Sequence, residues 1–492
     1  MADRACLVTG ATGYIGGRLV PHLLAAGHTV RVLARTPEKL DAVPWRDDVE
    51  VVQGDLEDLE SLGSAVAGMD VVYHLVHAMG GSDDFKAVEA RTAHNMVAAT
   101  TDRGVGRVVY LSGLHPQDPS GWSTHLASRI EVGRILLDSP VPTMVLQAGV
   151  VIGSGSASFE LIRHLTERLP VMTTPKWVHN RIQPISIRDV LHYLVAAATA
   201  PIPRSREWDI GSDDVMTYGG MMATYARVAR LGRRHLLVLR PLTPTLASRW
   251  VGLVTPIPPG LARPLIESLE CDAVMHEHDV DEVIPPPAGG LEPYEEAVRE
   301  AIAHGHRGVV APTWDDVDLL DGPGAPFPND PPWSGELLFT HELEDAVDAT
   351  EEQVRAAVDV LVGTDIGLDR LTPAPTNVAT ALVTGAPREE APGHPAWAPA
   401  SASTPDRLLL EARAPLPADI WLEVRTAAGP DVTRVGLRLV CAPRGLGGIT
   451  WWQALLPLRP LALRRIAAAI RRAAPLQGTG PRIAEGPDDL AG

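Results

Sequence analysis

Two clusters of residues in this chain could do chemistry. The first is Thr9-Gly10-Ala11-Thr12-Gly13-Tyr14-Ile15-Gly16-Gly17, where glycine recurs at every third position from Gly10 to Gly16. Glycines so spaced let a backbone turn sharply out of a strand, approach a phosphate closely and start a helix lying tight on a sheet. The positive amino-terminal end of that helix then faces the anion. The second cluster is His125 and Arg129, four residues apart and so on one face of a helix. An imidazole titrates near neutral pH and can pass a proton, whereas a guanidinium stays charged and can grip a phosphate.

The elements that must position the glycines can be read around them. Ala5 to Val8 is a short apolar run of strand type, Leu19, Val20, Leu23 and Leu24 follow with helical period, and Gly27 closes the helix. Thr29 to Ala34 is a second strand. Strand, glycine turn, helix and strand within about thirty residues is the context of a dinucleotide site. NAD-preferring sites end the second strand in an acid, but here it ends in Arg35, with Glu38 and Asp41 only later. A guanidinium there can hold a 2′-phosphate through two parallel hydrogen bonds, so NADP(H) is the expected cofactor, with NAD(H) as the alternative. Further strands at residues 49–52, 70–77 and 107–112 alternate with helices at 57–67 and 85–103. The alternation predicts an α/β fold with a doubly wound parallel (Rossmann) sheet and function at the carboxyl ends of its strands.

At 492 residues the chain predicts two or three domains. Its formal net charge of −18 argues against nucleic acid as a main partner; a small-molecule substrate or ligand is the partner expected. Cys6, Cys271 and Cys441 lack metal-ligand spacing and read as buried thiols in a reducing compartment. The opening MADRACLVTG runs into a strand without a charged leader, and no apolar run approaches the roughly 18 residues of a spanning helix. A cytoplasmic protein is expected. His276-Glu277-His278-Asp279 carries metal-capable side chains, but contiguous residues alternate faces, so no metal site is expected.

TGATGYIGG, GDLED (residues 54–58), DVVYHLVHAMG (70–80), RVVYLSGL (107–114) and LQAGVVIGSG (146–155), in this order, resemble the extended and atypical branches of the short-chain dehydrogenase/reductase superfamily. GSGSASFELIRHLTERLPVM (153–172), RIQPISIRDV (181–190) and LTPTLASRWVGLVTPIP (242–258) are similar to an NAD(P)H-binding, NmrA-like subgroup. The resemblance covers about residues 5 to 310. It implies that Thr9, Gly10, Thr12, Gly13, Tyr14, Ile15 and Gly16 hold the diphosphate, and that Asp55 and Leu56 frame the adenine. Leu75, Val76 and His77 would line the cofactor. Ser112 and Gly113 would lie near the nicotinamide, with backbone from Gly149 to Ser154 over its amide end.

Reductases of this superfamily use a Tyr to protonate the substrate oxygen and a Lys four residues on to tune it. None of the seven tyrosines here has such a Lys. His125 and Arg129 stand in the expected place. In one reading His125 is the proton donor and Arg129 holds the ribose or a cofactor phosphate; in the other the pair is structural or merely binds the cofactor. His179, Arg181 and Gln183 are candidate substrate contacts, with a strand-edge role as the alternative. Two functions follow: a reductase passing hydride to a small carbonyl, enone or quinone-like substrate, or a non-catalytic nucleotide sensor.

The Pro/Gly-rich, acidic stretch 313–335 reads as a linker after a first domain at 1–312. Beyond it, a strand at 337–341, a helix at 350–362 opened by a Thr350/Gln353 capping box, and strands at 407–412, 420–425, 434–441 and 449–453 precede an Arg-rich helix at 461–474. A Pro/Ala-rich interval, 372–406, reads as loop, and 477–492 as a disordered tail. The order resembles a smaller α+β helix-grip domain at 336–476, similar to the START and polyketide-cyclase group, which often encloses an apolar ligand. The last helix reads as core-packing with a solvated basic face, so a membrane surface is the less favoured partner.

Overall fold

The structure, a computed structural model, describes residues 3–77, 85–238, 255–310, 327–331, 333–335, 337–363, 397–400, 407–413, 416–427 and 432–474. The expected tail, most of the interval 372–406, residues 313–326 and most of 242–258 lie outside the described residues. The chain divides into two compact units, Met1–Glu336 and Leu337–Gly492.

In the first unit β1 (Ala5–Thr9), α1 (Tyr14–Ala25), β2 (Thr29–Ala34), β3 (Glu50–Gln53), α2 (Leu59–Val66), β4 (Val71–His74), α3 (Phe85–Asp102), β5 (Arg107–Gly113), α4 (Thr124–Leu137) and β6 (Thr143–Ala148) alternate along the chain. Then come α5 (Ala157–Arg168), α6 (Ile187–Ala197), β7 (Arg206–Ile210), α7 (Tyr218–Val228), α8 (Pro259–Ser268) and α9 (Tyr294–Val310). The seven strands form one parallel sheet in the order β7-β6-β5-β4-β1-β2-β3. Apolar runs such as Cys6-Leu7-Val8 have no exposed surface, as a sheet covered on both faces requires. Leu19, Val20 and Leu23 of α1 pack one face with Val190 and Leu194 of α6, and Leu62, Met96 and Val132 of α2, α3 and α4 cover the other. Each fully buried aliphatic side chain contributes about 1.5–3 kcal/mol of transfer free energy. The order reverses between β1 and β4, and ligands bind doubly wound sheets at such a point. Phe159, Met221, Tyr225, Ile266 and Tyr294, from α5 and α7 to α9, form a separate core.

The stretch read as linker does more than connect. Residues 327–331 and 333–335 fold onto the first unit, and Phe327 is in its core at 3% exposure.

In the second unit β8 (Phe339–Val347), α10 (Glu351–Gly363), β9 (Trp397–Pro399), β10 (Arg407–Ala412), β11 (Ala418–Ala427), β12 (Thr433–Pro443), α11 (Gly445–Ala454) and α12 (Arg459–Ala473) follow one another. The strands make an antiparallel sheet in the order β8-β12-β11-β10-β9. Register puts Leu410, Leu422 and Leu439 in one row, on the side where Leu463, Ile466 and Ile470 of α12 pack. The capping box forms, Thr350 N donating to Gln353 Oε1 at 3.0 Å and Gln353 N to Thr350 Oγ1 at 3.3 Å. Two expectations are corrected. The stretch 449–453 is helical, because burial of Trp451 and Trp452 in the core outweighs the strand propensity of ITWWQ. Trp397–Pro399, inside the expected loop, pairs with β10.

Candidate nucleotide-binding cleft

A cleft of about 600 Å³, the size of a small-molecule site, opens at the carboxyl ends of β1 and β4. Thr9, the last residue of β1, ties its floor together. Its Oγ1 donates to the Tyr73 carbonyl at 2.9 Å and accepts from the Leu75 amide at 3.3 Å. Gly10 then turns with φ +79°, and a Cβ there would lie 3.0 Å from the Leu75 carbonyl oxygen. Only glycine meets both conditions without strain. Gly13 N donates back to Gly10 O at 2.9 Å, and α1 starts with no side-chain cap and no acid in its first turn. Its first N–H groups are therefore left for a ligand, and the helix end favours an anionic one. At Gly16 a Cβ would stand 2.3 Å from Gly10 O, so the helix rests directly on the turn.

Of the residues expected at the cofactor, Thr9, Gly10, Thr12, Gly13, Tyr14, Ile15, Gly16, Arg35, Asp55, Leu56, Leu75, Val76, His77, Ser112 and Arg129 line this one cleft; of the stretch 149–154 only Gly149 and Val151 do, and Gly113 does not. Arg35 follows β2 at an exposed position, and no carboxylate among the described residues pairs with it. Asp55 is fixed by accepting the Glu57 amide at 3.0 Å, and Leu56 by the Asn95 side chain, which donates to its carbonyl at 2.9 Å.

At the other end Ser112, His77 and Arg129 converge. Arg129 Nη2 lies 3.3 Å from His77 Nε2 and 3.4 Å from the Leu111 carbonyl. A guanidinium can only donate, so His77 Nε2 accepts and the ring proton is assigned to Nδ1. Burial, with the Arg129 charge and His74 beside it, holds the His77 pKa well below the ordinary imidazole range. The ring is neutral at pH 7. Buried Tyr14 Oη, Ser112 Oγ, Arg129 Nε and Asn329 Nδ2, all on cleft-lining residues, make no hydrogen bond among the described residues. Orphaned polar atoms are rare in protein interiors unless a ligand serves them. The residues present thus fit a phosphorylated dinucleotide.

His125 does not join them. Its ring stacks on Phe85 at 4.2 Å, it does not line the cleft, and burial lowers its pKa. The helix turns Arg129 inward and His125 toward the start of α3, so the expected proton donor has no contact with the cleft. The substrate-contact candidates are also placed elsewhere. Gln183 is buried, donating to the Ser212 carbonyl at 2.7 Å and accepting the Met275 amide at 2.9 Å. Arg181 pairs with Asp272 at 3.0 Å, and His179 is exposed. Of the run 276–279, Glu277 and Asp279 pair with Arg206, and His276 Nε2 meets the His115 carbonyl. The apolar wall comes instead from Val88, Leu261, Leu265 and Trp333. No local signal marks these four, because tertiary packing from distant parts of the chain brings them together. Glu89 also lines the cleft, its carboxylate accepting from Ser128 Oγ.

The fold and this geometry define a nucleotide-binding domain, and comparison with known proteins agrees. Residues 10–139 match the family described as NAD(P)H-binding. The matched residues lie within the parallel-sheet fold of the amino-terminal unit and include the glycine turn. The chain is 38% identical over 116 residues to a 3 beta-hydroxysteroid dehydrogenase/Delta 5-->4-isomerase of Mycobacterium tuberculosis, over 22% of this chain and 30% of that protein. It is 28% identical over 270 residues to a (4-alkanoyl-5-oxo-2,5-dihydrofuran-3-yl)methyl phosphate reductase of Streptomyces griseus, over 54% of this chain and 86% of that one. Among solved structures, a triphenylmethane reductase of Citrobacter sp. is similar at 19% identity and a TM-score of 0.49, over 61% of this chain and 99% of that one. The chain spans about 30% of the length of the steroid dehydrogenases that it matches. No helix among the described residues is long and apolar enough to cross a membrane.

Proposed function

We propose that the first unit is an NADP(H)-dependent reductase of the atypical, NmrA-like short-chain type. Its substrate is a small apolar carbonyl, enone or quinone-like compound. One observation carries the reading: a single cleft is lined by the glycine turn, by Ser112 and Arg129, and by the apolar side chains of Val88, Leu261, Leu265 and Trp333. Arg35 takes the 2′-phosphate, and Asp55 and Leu56 border the adenine. A bound reduced nicotinamide supplies hydride to the substrate carbon. Ser112 Oγ and the Arg129 guanidinium donate hydrogen bonds to the substrate oxygen, and the fixed charge of Arg129 stabilises the negative charge developing there. Solvent supplies the proton to that oxygen through Ser112 Oγ. His77, neutral and accepting from Arg129, positions the guanidinium.

A second reading is a nucleotide sensor without turnover, favoured by the absence of any Tyr followed four residues on by Lys. NADPH consumption over a carbonyl and quinone panel separates the two. Turnover that falls in Ser112→Ala and Arg129→Met supports the reductase, and tight NADPH binding with no turnover over the whole panel refutes it. The second unit is proposed as a helix-grip domain for an apolar small molecule, a reading supported by α12 packed on its antiparallel sheet. The three buried free thiols support a reducing, cytoplasmic setting.

A further inference from the structure

Residues 327–331 and 333–335 are clamped to both walls of the cleft. Phe327 stacks on Trp45 at 6.4 Å and lies against Gly17, where a Cβ would meet its ring at 3.0 Å. Asp330 takes Arg18 of α1 in a bidentate pair at 2.8 and 2.7 Å, with Arg18 only 2% exposed. Asp330 also accepts the Phe327 amide at 2.9 Å, which closes the segment into a tight turn. On the far side His164 Nε2 of α5 meets the Trp333 carbonyl at 2.9 Å. Burial holds His164 at about 4, so the neutral ring donates. The buried Glu160 carboxylate accepts from Gly335. At Gly155, φ +97°, a Cβ would stand 2.9 Å from Asp330 Oδ2, so the loop ahead of α5 is shaped to receive this segment.

Between these clamps Asn329, Pro331 and Trp333 face the cleft, and Asn329 Nδ2 is buried without a partner among the described residues. Buried amides cost free energy unless something satisfies them. Asp330, the next residue in sequence, pairs with Arg18, whose guanidinium lies over the Tyr14 ring at the first turns of α1, beside the glycine turn. We infer that residues 327–331 and 333–335 form the outer wall of the dinucleotide cleft, with the Asn329 amide donating to the diphosphate of the bound dinucleotide. This rests on the nucleotide reading above. It makes a segment beyond the Rossmann domain part of the cofactor site, and Asn329 a binding residue.

The test uses the full chain, with Asn329→Ala and Asn329→Asp, and calorimetry with NADPH and with ADP-ribose, which keeps the diphosphate and lacks the nicotinamide. A lost hydrogen bond to a charged group weakens binding about tenfold. Asn329→Ala should lose that factor for both ligands, and Asn329→Asp more, since it sets a carboxylate against the diphosphate. Unfolding midpoints should match wild type. Hydrogen exchange of peptides spanning 327–335 should slow when NADPH is added. Wild-type affinity in both variants overturns the inference while leaving the nucleotide reading intact. A loss confined to NADPH overturns the diphosphate contact, and an affinity loss that follows a lowered unfolding midpoint overturns the binding role. Failure of wild type to bind NADPH or NADH removes the nucleotide reading, and the inference falls with it.

Discussion

Gly16→Ala tests the close approach of α1 to the glycine turn. The added Cβ would sit 2.3 Å from Gly10 O, 2.7 Å from Gly10 C and 3.1 Å from the Ala11 Cα. Relief requires about 1 Å of movement between two stretches of backbone, since a relaxed carbon–oxygen contact is about 3.4 Å. No flexible side chain can give way. The helix cannot retreat cheaply, because Leu19, Val20 and Leu23 are fully buried and Arg18 is paired with Asp330. Alanine gains about 1 kcal/mol in helix propensity over glycine, and overpacking costs about 1–3 kcal/mol. The net expectation is a loss of up to about 2 kcal/mol of stability. NADPH affinity should fall at least about tenfold, because N–H groups displaced by about 1 Å no longer hold a phosphate at bonding distance. Gly13→Ala is the control: its one contact, Gly10 O at 3.2 Å, needs a shift of a few tenths of an ångström, so it should fold normally. Urea unfolding and calorimetry with NADPH read both effects. A Gly16→Ala chain more stable than wild type, with unchanged NADPH affinity, would refute the close approach.

Arg35→Ala should weaken NADPH about tenfold and leave NADH unchanged, with the difference shrinking in salt; equal losses for both cofactors would count against a 2′-phosphate contact. Arg129→Met should lower kcat by about two orders of magnitude with NADPH affinity little changed, whereas His125→Phe should keep kcat within about twofold, both read by NADPH absorbance. Glu292, buried and beside Glu300, has its pKa raised to about 7. Unfolded, it ionises near 4.3, so the unfolded chain loses its proton first and stability falls as pH rises from about 4.5 to 7. Over that window wild type should lose up to about 3 kcal/mol relative to Glu292→Gln, and parallel curves in urea unfolding would exclude the carboxyl as the cause.

The sequence and the structure agree where a signal is local. The triplet spacing of glycines, the period of Leu19, Val20 and Leu23, and the Thr350/Gln353 box each act within one or two turns of chain. Discrepancies appear where distant residues decide. The spacing of His125 and Arg129 puts them on one helix face, but that face is broad, and Phe85 captures the first ring while the second reaches the cleft. The run PNDPPWSG (residues 328–335) has the composition of a connector, yet Asp330 answers an arginine 312 positions earlier. ITWWQ reads as strand by residue type, but two indoles needed a buried face and took helical geometry to reach it.

That clamp bears on how the protein can be divided. A fragment ended at residue 312, where composition alone would cut it, would lack the Asp330 carboxylate that Arg18 meets within the interior. Removing one partner of a buried ion pair typically costs about 3–5 kcal/mol, a large part of a domain's whole stability. Trp45 would lose the ring stacked upon it as well. The severed piece should precipitate or bind poorly even with every glycine of its turn in place, whereas one ended at residue 336 should survive.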